Sequence, residues 1–480
     1  MKKSSWMIVP AAFFFLFNFS ISSVKTLFFL RLIYFLFLVS LFFFLRRFNL
    51  KKILIPIVGG VSLILFVYGI LQKIILFPYY LRNLANENNF YSQAFKTRLE
   101  TGRVFSLFTL PSLYAIICAV LILFIFYYFL KTKKNRIFWA ILLILGIINI
   151  VLTQSFGGIL YLSIGVLIYL FLSGILSFKY IAPVVMVLFL FFFIVTGLRY
   201  SEAKELEPIK LRLSNWEQAY RTIKSSPILG IGLGNYESKI SYFTFPGEAK
   251  SIYAHNFFLQ FISELGIIIS FFILLILFLS IKKLKPENSK EKVLYISAFI
   301  IMLVYNLIDI GFYFFSAGIV TVVLLSQIYE KRSEKYKLNL SILVILSILL
   351  IVQTFSDNYQ KKANFLLSQK SFEEAEVFYK KSLKVNPFNF KSITGLGNIN
   401  LIKKNYFESE KYLDRSLKLY PDSAFANYLK SRIDFNKEHF LNSLYHANLA
   451  FNKNRLNYEY KRWYEFIKNN IQIELSKTGI

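Results

Sequence analysis

"PSLYAIICAVLILFIFYYFLKTKKNRIFWAILLILGIINIVL" (residues 111–152) holds two long apolar runs joined by one short basic cluster. A helix needs about 20 apolar residues to cross the hydrocarbon of a bilayer, and both runs approach that length. Lys and Arg concentrate in loops on the cytoplasmic side, so the cluster at 131–136 marks such a loop. The rest of the chain follows the same pattern. Its 480 residues are 56% hydrophobic, 19% aromatic and 17% charged, with a mean hydropathy of +0.52, which indicates a bilayer rather than water as the solvent. The net charge of +29 would admit nucleic acid as a partner. The basic residues, however, fall in short clusters between apolar runs, as in "RRFNLKK" (46–52), so nucleic-acid binding is set aside. Cys118 is the single cysteine and lies inside an apolar run, which leaves no place for a disulfide framework or a cysteine-based zinc site.

Counting apolar runs gives about eleven spans, near 6–23, 26–45, 53–75, 106–130, 136–153, 157–177, 180–198, 260–281, 292–308, 311–328 and 338–355. The first, after "MKKSSW", reads as a retained helix and not a cleaved signal. Lys2 and Lys3, Arg46 to Lys52, Lys131 to Arg136, Lys179, "KKLKPENSKEK" (282–292) and "EKRSEKYK" (330–337) fall on alternate connections. The expected topology therefore puts the N-terminus in the cytoplasm. On the opposite side it puts segment 76–105, the turn "TQSFGG" (153–158), the long loop 199–259, the turn near Asp309, and everything beyond about 356.

That last region is charged and repetitive. Phe372, Tyr406 and Phe440 recur every 34 residues, as do Ala363, Gly397 and Ser431, and Ala375, Ser409 and Ser443; Pro387 and Pro421 share the interval. Small residues where paired helices touch, an aromatic between repeats and a closing proline are what a stacked helix-turn-helix array requires. The segment resembles tetratricopeptide repeats, less strongly in its third copy, which lacks the proline. The expected architecture is all-α: a polytopic membrane domain over 1–355 and a C-terminal α-solenoid over 356–480, extracytoplasmic and able to bind a protein partner.

The long loop contains "SPILGIGLGNY" (226–236). Its glycines are spaced GxGxG with no βαβ context, which argues against a dinucleotide site and for a tight turn. Such a turn would bring a helix around Arg212 to Lys224 against one starting near His255. About 20 residues further on stands "AHNFFLQFISELGIIIS" (254–270) with His255, one of three histidines in the chain. The two motifs and their spacing resemble the O-antigen ligase and polymerase superfamily, whose members move a glycan from a polyprenyl diphosphate carrier to an acceptor at the outer face of the cytoplasmic membrane. The resemblance covers roughly 50–330. It extends to Arg103 in "RVFSLFTLPSLYA" and Arg212 in "RLSNW", similar to the family's carrier-phosphate arginines. In "LTQSFGG" (152–158) Phe156 stands where many members have an arginine.

The resemblance implies a membrane glycosyltransferase of O-antigen ligase type in a bacterial inner membrane, with a lipopolysaccharide or other cell-envelope role. Its donor would be a polyprenyl-diphosphate-linked glycan. Guanidinium groups suit the charge that develops on a departing diphosphate, so Arg103 and Arg212 are the candidate clamp, with Lys204, Lys210 and Arg221 as weaker candidates. Histidine as a residue type can take a proton from an acceptor hydroxyl at neutral pH, which makes His255 the candidate base. Asn256 is a candidate for ordering the loop or placing the acceptor, while Tyr253 and Glu264 read as structural. No Asp, Glu and His cluster suggests a metal, so neither metal nor cofactor is expected. The acceptor stays open among glycolipid, a second carrier-linked glycan (polymerase) and a protein hydroxyl (protein O-oligosaccharyltransferase). Two readings of other classes are a lipid-linked glycan transporter and a membrane-anchored assembly factor.

Overall fold

The computed structural model describes residues 16–48, 50–84, 99–133, 135–177, 183, 186, 207–248, 251–282, 290–328 and 340–477. Most of these residues are helical, with no strand among them. In chain order the helices are α1 (Lys25–Leu45), α2 (Lys51–Leu71), α3 (Phe77–Leu84), α4 (Pro111–Lys131), α5 (Arg136–Leu152), α6 (Phe156–Leu172), α7 (Glu207–Ser225), α8 (Tyr236–Phe243), α9 (Phe257–Lys282), α10 (Lys290–Ile308), α11 (Phe315–Ile328), α12 (Leu340–Ser368), α13 (Phe372–Val385), α14 (Phe390–Ile402), α15 (Tyr406–Leu419), α16 (Ala424–Asn436), α17 (Phe440–Lys453) and α18 (Tyr458–Lys477). A π turn at Gln72–Leu76 joins α2 to α3.

Six helical stretches among the described residues are long and apolar enough to cross a membrane: α1, α2 running on into α3, α4, α9, α10 and α12. The apolar helices α5, α6 and α11 are shorter, at 17, 17 and 14 residues. The expected span 180–198, apart from 183 and 186, and most of 6–23 lie outside the described residues, as do Lys2, Lys3, Lys179, Lys204 and the basic cluster 330–337. The expected span 106–130 starts later, because Ser106 takes a positive φ of 48° and Pro111 opens α4 at the position where a missing N–H costs nothing.

The chain divides into two compact units, 1–37 with 209–278 and 339–480, and 38–208 with 279–338. The second is built around α4, apolar on every face, 78% of whose span is buried. A helix of that kind belongs at the centre of a bundle, and α5, α6 and α10 pack on it. Small residues allow the approach: a Cβ added at Gly158 would come 2.7 Å from Ala115, at Gly146 2.7 Å from Ile122, and at Gly165 2.1 Å from Ile301. With little hydrophobic drive inside a bilayer, close packing and interhelical hydrogen bonds hold such bundles. Here Asn149 on α5 donates to the Phe66 carbonyl at 3.1 Å, and the Tyr114 hydroxyl shares its proton between Asn149 Oδ1 at 2.8 Å and the Leu65 carbonyl at 2.9 Å.

The first unit contains the repeats. The boundary read at 355/356 falls inside α12, whose first half is an apolar span and whose second half is the first helix of the array. Three helix pairs follow from the 34-residue spacing: the end of α12 with α13, α14 with α15, and α16 with α17, closed by α18. Within the pairs, Ser409 Oγ donates to the Gly397 carbonyl at 2.7 Å, and Ser431 and Ser443 each donate to the other's carbonyl at 2.8 Å. Lys370, Lys404 and Glu438, also 34 apart, end the inner helices with φ of 61°, 61° and 62°, the left-handed position that a helix C-terminus favours. Glu410 accepts from Lys430 at 2.7 Å and is also paired with Lys437, and these two ammonium groups hold its carboxyl below the usual range. A depressed carboxyl adds stability above its ordinary value of about 4.3, and the gain is lost as pH falls through the lower folded value. Glu410→Gln should therefore flatten the acid limb of array stability, read by amide exchange over residues 390–457 below about pH 4.5.

Candidate active site

In the first unit the site is organised by a break in α9. Gly266 interrupts it with φ 78° and ψ 168°, so the expected span 260–281 is not one continuous helix. The break is filled by the turn 226–235. Ile231 N donates to the Ser263 carbonyl and Gly232 N to the Glu264 carbonyl, both at 2.9 Å, while Ile267 N donates to the Pro227 carbonyl at 2.8 Å. Backbone groups freed by the break are thus satisfied by the turn, as a low-dielectric setting demands. Here lies the physical use of the GxGxG spacing. A Cβ at Gly230 would sit 2.4 Å from the Glu264 carbonyl oxygen, and φ at Gly230, Gly232 and Gly234 is 69°, 98° and 75°. The glycines permit close approach of backbone to α9.

Glu264 is 1% exposed, and its carboxylate accepts from Gly234 N at 2.7 Å and Gln260 Nε2 at 3.3 Å. Asn18 donates to its carbonyl at 2.8 Å and accepts from Leu233 N at 3.1 Å. Asn235 is tied to the same N-terminal stretch, accepting from Val24 N at 2.9 Å and donating to Ser22 Oγ at 2.7 Å. Glu264 is the staple between turn and helix, in keeping with its structural reading.

His255 sits at the head of α9 with φ 49°, a left-handed conformation that costs a non-glycine residue about 1–2 kcal/mol and needs support from its surroundings. That support is visible on both sides. Trp216 Nε1 on α7 donates to the His255 carbonyl at 3.1 Å, and Ala254 N donates to Gln260 Oε1 at 3.1 Å. Asn256 accepts from Leu259 N at 3.0 Å, which caps the first turn of α9. The turn does bring α7 to α9, as the sequence suggests, and Ser263 Oγ donates to the Ala219 carbonyl at 3.2 Å.

Arg212 lies one helical turn before Trp216, on the same face of α7 and about 6 Å along the axis from the residue that pins His255. It is half-buried, and no carboxylate pairs with it among the described residues. Lys210 is exposed. Arg221 is committed to the chain itself: it donates to both Glu248 oxygens at 2.6 and 2.7 Å, to Glu217 at 2.9 Å and to the Phe243 carbonyl at 3.0 Å, and stacks 4.3 Å over Phe245. This geometry ties the 244–248 turn to α7.

In the second unit, Arg103 is half-buried and its Nε donates to the Thr153 carbonyl at 3.2 Å, while Val104 N donates to the Leu152 carbonyl at 3.0 Å. Arg103 and the "TQSFGG" turn are therefore one local structure, with Ser155 capping α6 through Gly158 N at 3.3 Å and Phe156 opening the helix. Sequence reasoning missed Lys73, whose Nζ donates to the Gly102 carbonyl at 3.1 Å, and Gln72, whose Oε1 accepts from Phe105 N at 3.0 Å and Ser106 N at 2.8 Å. Both sit in the π turn, and such bulges favour functional positions. The available signal was the polar pair interrupting "VYGILQKIILF" (67–77). No metal-ligating cluster occurs among the described residues.

Fold and local geometry together define a polytopic α-helical membrane protein with an attached α-solenoid. Residues 141–275 match the family model described as O-Antigen ligase, and residues 356–389 match that of a tetratricopeptide repeat. The first match encloses the Phe156 turn, Arg212, His255, Glu264 and the break at Gly266, and leaves Arg103 and Lys73 outside. Comparison with curated proteins gives no match.

Proposed function

We propose that the chain transfers a glycan from a polyprenyl diphosphate carrier to an acceptor hydroxyl at the outer face of a bacterial inner membrane. The observation that carries this reading is the O-antigen ligase match over 141–275, within which α7 carries a half-buried Arg212 one turn from the tryptophan that pins His255. In the reaction the acceptor oxygen bonds to the anomeric carbon and its proton passes to the His255 imidazole. The bond from that carbon to the phosphate oxygen breaks, and polyprenyl diphosphate departs with the electron pair. Beside His255, Arg212 takes the role of diphosphate ligand, Asn256 orders the His255 loop, and no cofactor enters the step; Arg103, in the second unit, is proposed as a phosphate ligand from its family resemblance alone. The groove of the array, about 370 Å³ and lined by Asn364, Tyr379, Thr394 and Phe425, is the place for a protein acceptor or partner. The test is transfer from carrier-linked glycan by the purified chain, with glycolipid, lengthened glycan and glycoprotein all sought as products.

Lys73 adds a cation on the carbonyl next to Arg103. A charge-assisted hydrogen bond contributes about 1.5–3 kcal/mol, so Lys73→Met should raise the KM for donor on the order of 10-fold or more with a smaller change in kcat. An unchanged KM would remove Lys73 from donor binding.

The break in α9 favours a second reading, transport, because discontinuous helices line transporter sites. In this chain the freed backbone groups bond to the 227–232 turn. Glycan that crosses the bilayer still attached to its carrier would establish transport instead.

A further inference from the structure

We propose that the repeat array acts as an internal clamp on the His255 site, holding α8 in place. The proposal rests on the glycosyl-transfer reading for its consequence, but on geometry for its substance. Helix α8 is only eight residues long, too short to be stable in isolation, yet both of its ends connect to the site. At its start, Gly234 N donates to Glu264 Oε2 at 2.7 Å. At its end, Thr244 Oγ1 donates at 3.1 Å to Gln218 Oε1 on α7, two residues from Trp216. A displacement of α8 therefore pulls on the turn that fills the α9 break and on the helix that pins His255.

What holds α8 is the row of turns between successive repeats. From the start of α14, Lys391 donates to Glu237 at 3.0 Å. From the next junction, Asp422 pairs with Lys239 and the Tyr420 hydroxyl donates to the Ser238 carbonyl at 2.8 Å. From the third, the Arg455 guanidinium lies 5.5 Å over the Tyr242 ring, and Lys453 pairs with the same Asp422 at 2.9 Å. Three junctions spaced by the repeat thus meet Glu237, Ser238, Lys239 and Tyr242 of one short helix. Tyr420 is 8% exposed, so its hydrogen bond is shielded from water, and Lys239 and Lys453 together hold the Asp422 carboxyl below its usual range against the effect of its burial. The continuous α12 makes this grip effective, because the array leaves the membrane segment without a flexible linker.

The test is amide hydrogen exchange of the full chain in lipid nanodiscs, following residues 226–244, with donor-dependent transfer measured on the same samples. Asp422→Lys places three ammonium groups together, and exchange over 226–244 should rise on the order of 10-fold, while kcat falls with little change in the KM for donor. Adding Lys239→Asp, a change on α8 and outside the array, should return most of both. Exchange that stays within about 2-fold in Asp422→Lys, or that Lys239→Asp fails to restore, would overturn the clamp. A tenfold, rescuable rise in exchange with no transfer from any form would uphold the clamp and remove the glycosyl-transfer reading.

Discussion

His255→Ala should lower kcat for glycan transfer by about 10²–10⁴-fold, the range a positioned general base supplies, while donor binding stays within about 2-fold. The substitution leaves intact the carbonyl that accepts from Trp216, so the loop keeps its α7 tether. His255→Asn tolerates the left-handed backbone at this position better than alanine does and should be equally inactive. That pairing separates proton transfer from loop geometry: loss in both variants assigns the imidazole, whereas loss in alanine and recovery in asparagine would assign the backbone conformation. Trp216→Phe keeps a smaller aromatic ring at this position and removes the indole N–H, and should cost less than either.

Gly266→Val should be the most damaging single change to the fold of the first unit. An added Cβ would stand 2.1 Å from the Ile228 carbonyl oxygen and 2.7 Å from Leu229 N, both backbone atoms, with φ at 78°. A left-handed conformation costs a β-branched residue at least about 1–2 kcal/mol, and forced overpacking typically adds about 1–3. Because the contacts are backbone on both sides, the neighbour cannot relieve them by changing rotamer. The turn must leave the break, exposing the carbonyls of Ser263 and Glu264. Thermal unfolding in detergent should show a transition lowered by several degrees, and Glu264 should lose its bond from Gly234. Gly247→Ala is the control, since a Cβ there meets nothing within 4 Å; it carries the strain of its φ of 86° without a clash.

The repeats were legible because their physics is local. A 34-residue period places small residues at each helix contact, and Gly397 with Ser409 and Ser431 with Ser443 meet as the spacing requires. The approach of α7 to α9 was legible for a similar reason, since Pro227 and three alternating glycines leave the chain few options but to turn back. The break at Gly266 was not. "ISELGIIIS" (262–270) reads as uninterrupted apolar helix, because one glycine costs a helix only about 1 kcal/mol and nothing local reveals that the carbonyls of Ser263 and Glu264 are claimed by residues some 30 positions earlier. Asn18 was hidden likewise, a polar residue in an aromatic run whose partners are more than 200 residues away. Lys73 lies in an apolar run with only Gln72 beside it to mark it. Its meaning appears only when the π turn brings it to Gly102.

The continuous α12 was illegible for a different reason. Composition shifts sharply near residue 356, and a shift of that kind reads as a domain boundary. The backbone is indifferent to it, because the same helical hydrogen bonds run through apolar and polar halves alike. The consequence is mechanical: a helix of 29 residues joins bilayer and array, and at a rise of about 1.5 Å per residue it sets the groove within about 10–15 Å of the end of the apolar half. A partner bound by the array would be held close to the membrane surface.

The most direct measurement uses the purified chain in sealed liposomes containing a labelled glycan on polyprenyl diphosphate, with acceptor candidates supplied outside. Free polyprenyl diphosphate appearing in step with label on the acceptor, and absent with His255→Ala, is the result this account predicts. Labelled carrier that changes leaflet with its glycan still attached, equally in the unaltered chain and in His255→Ala, would contradict it.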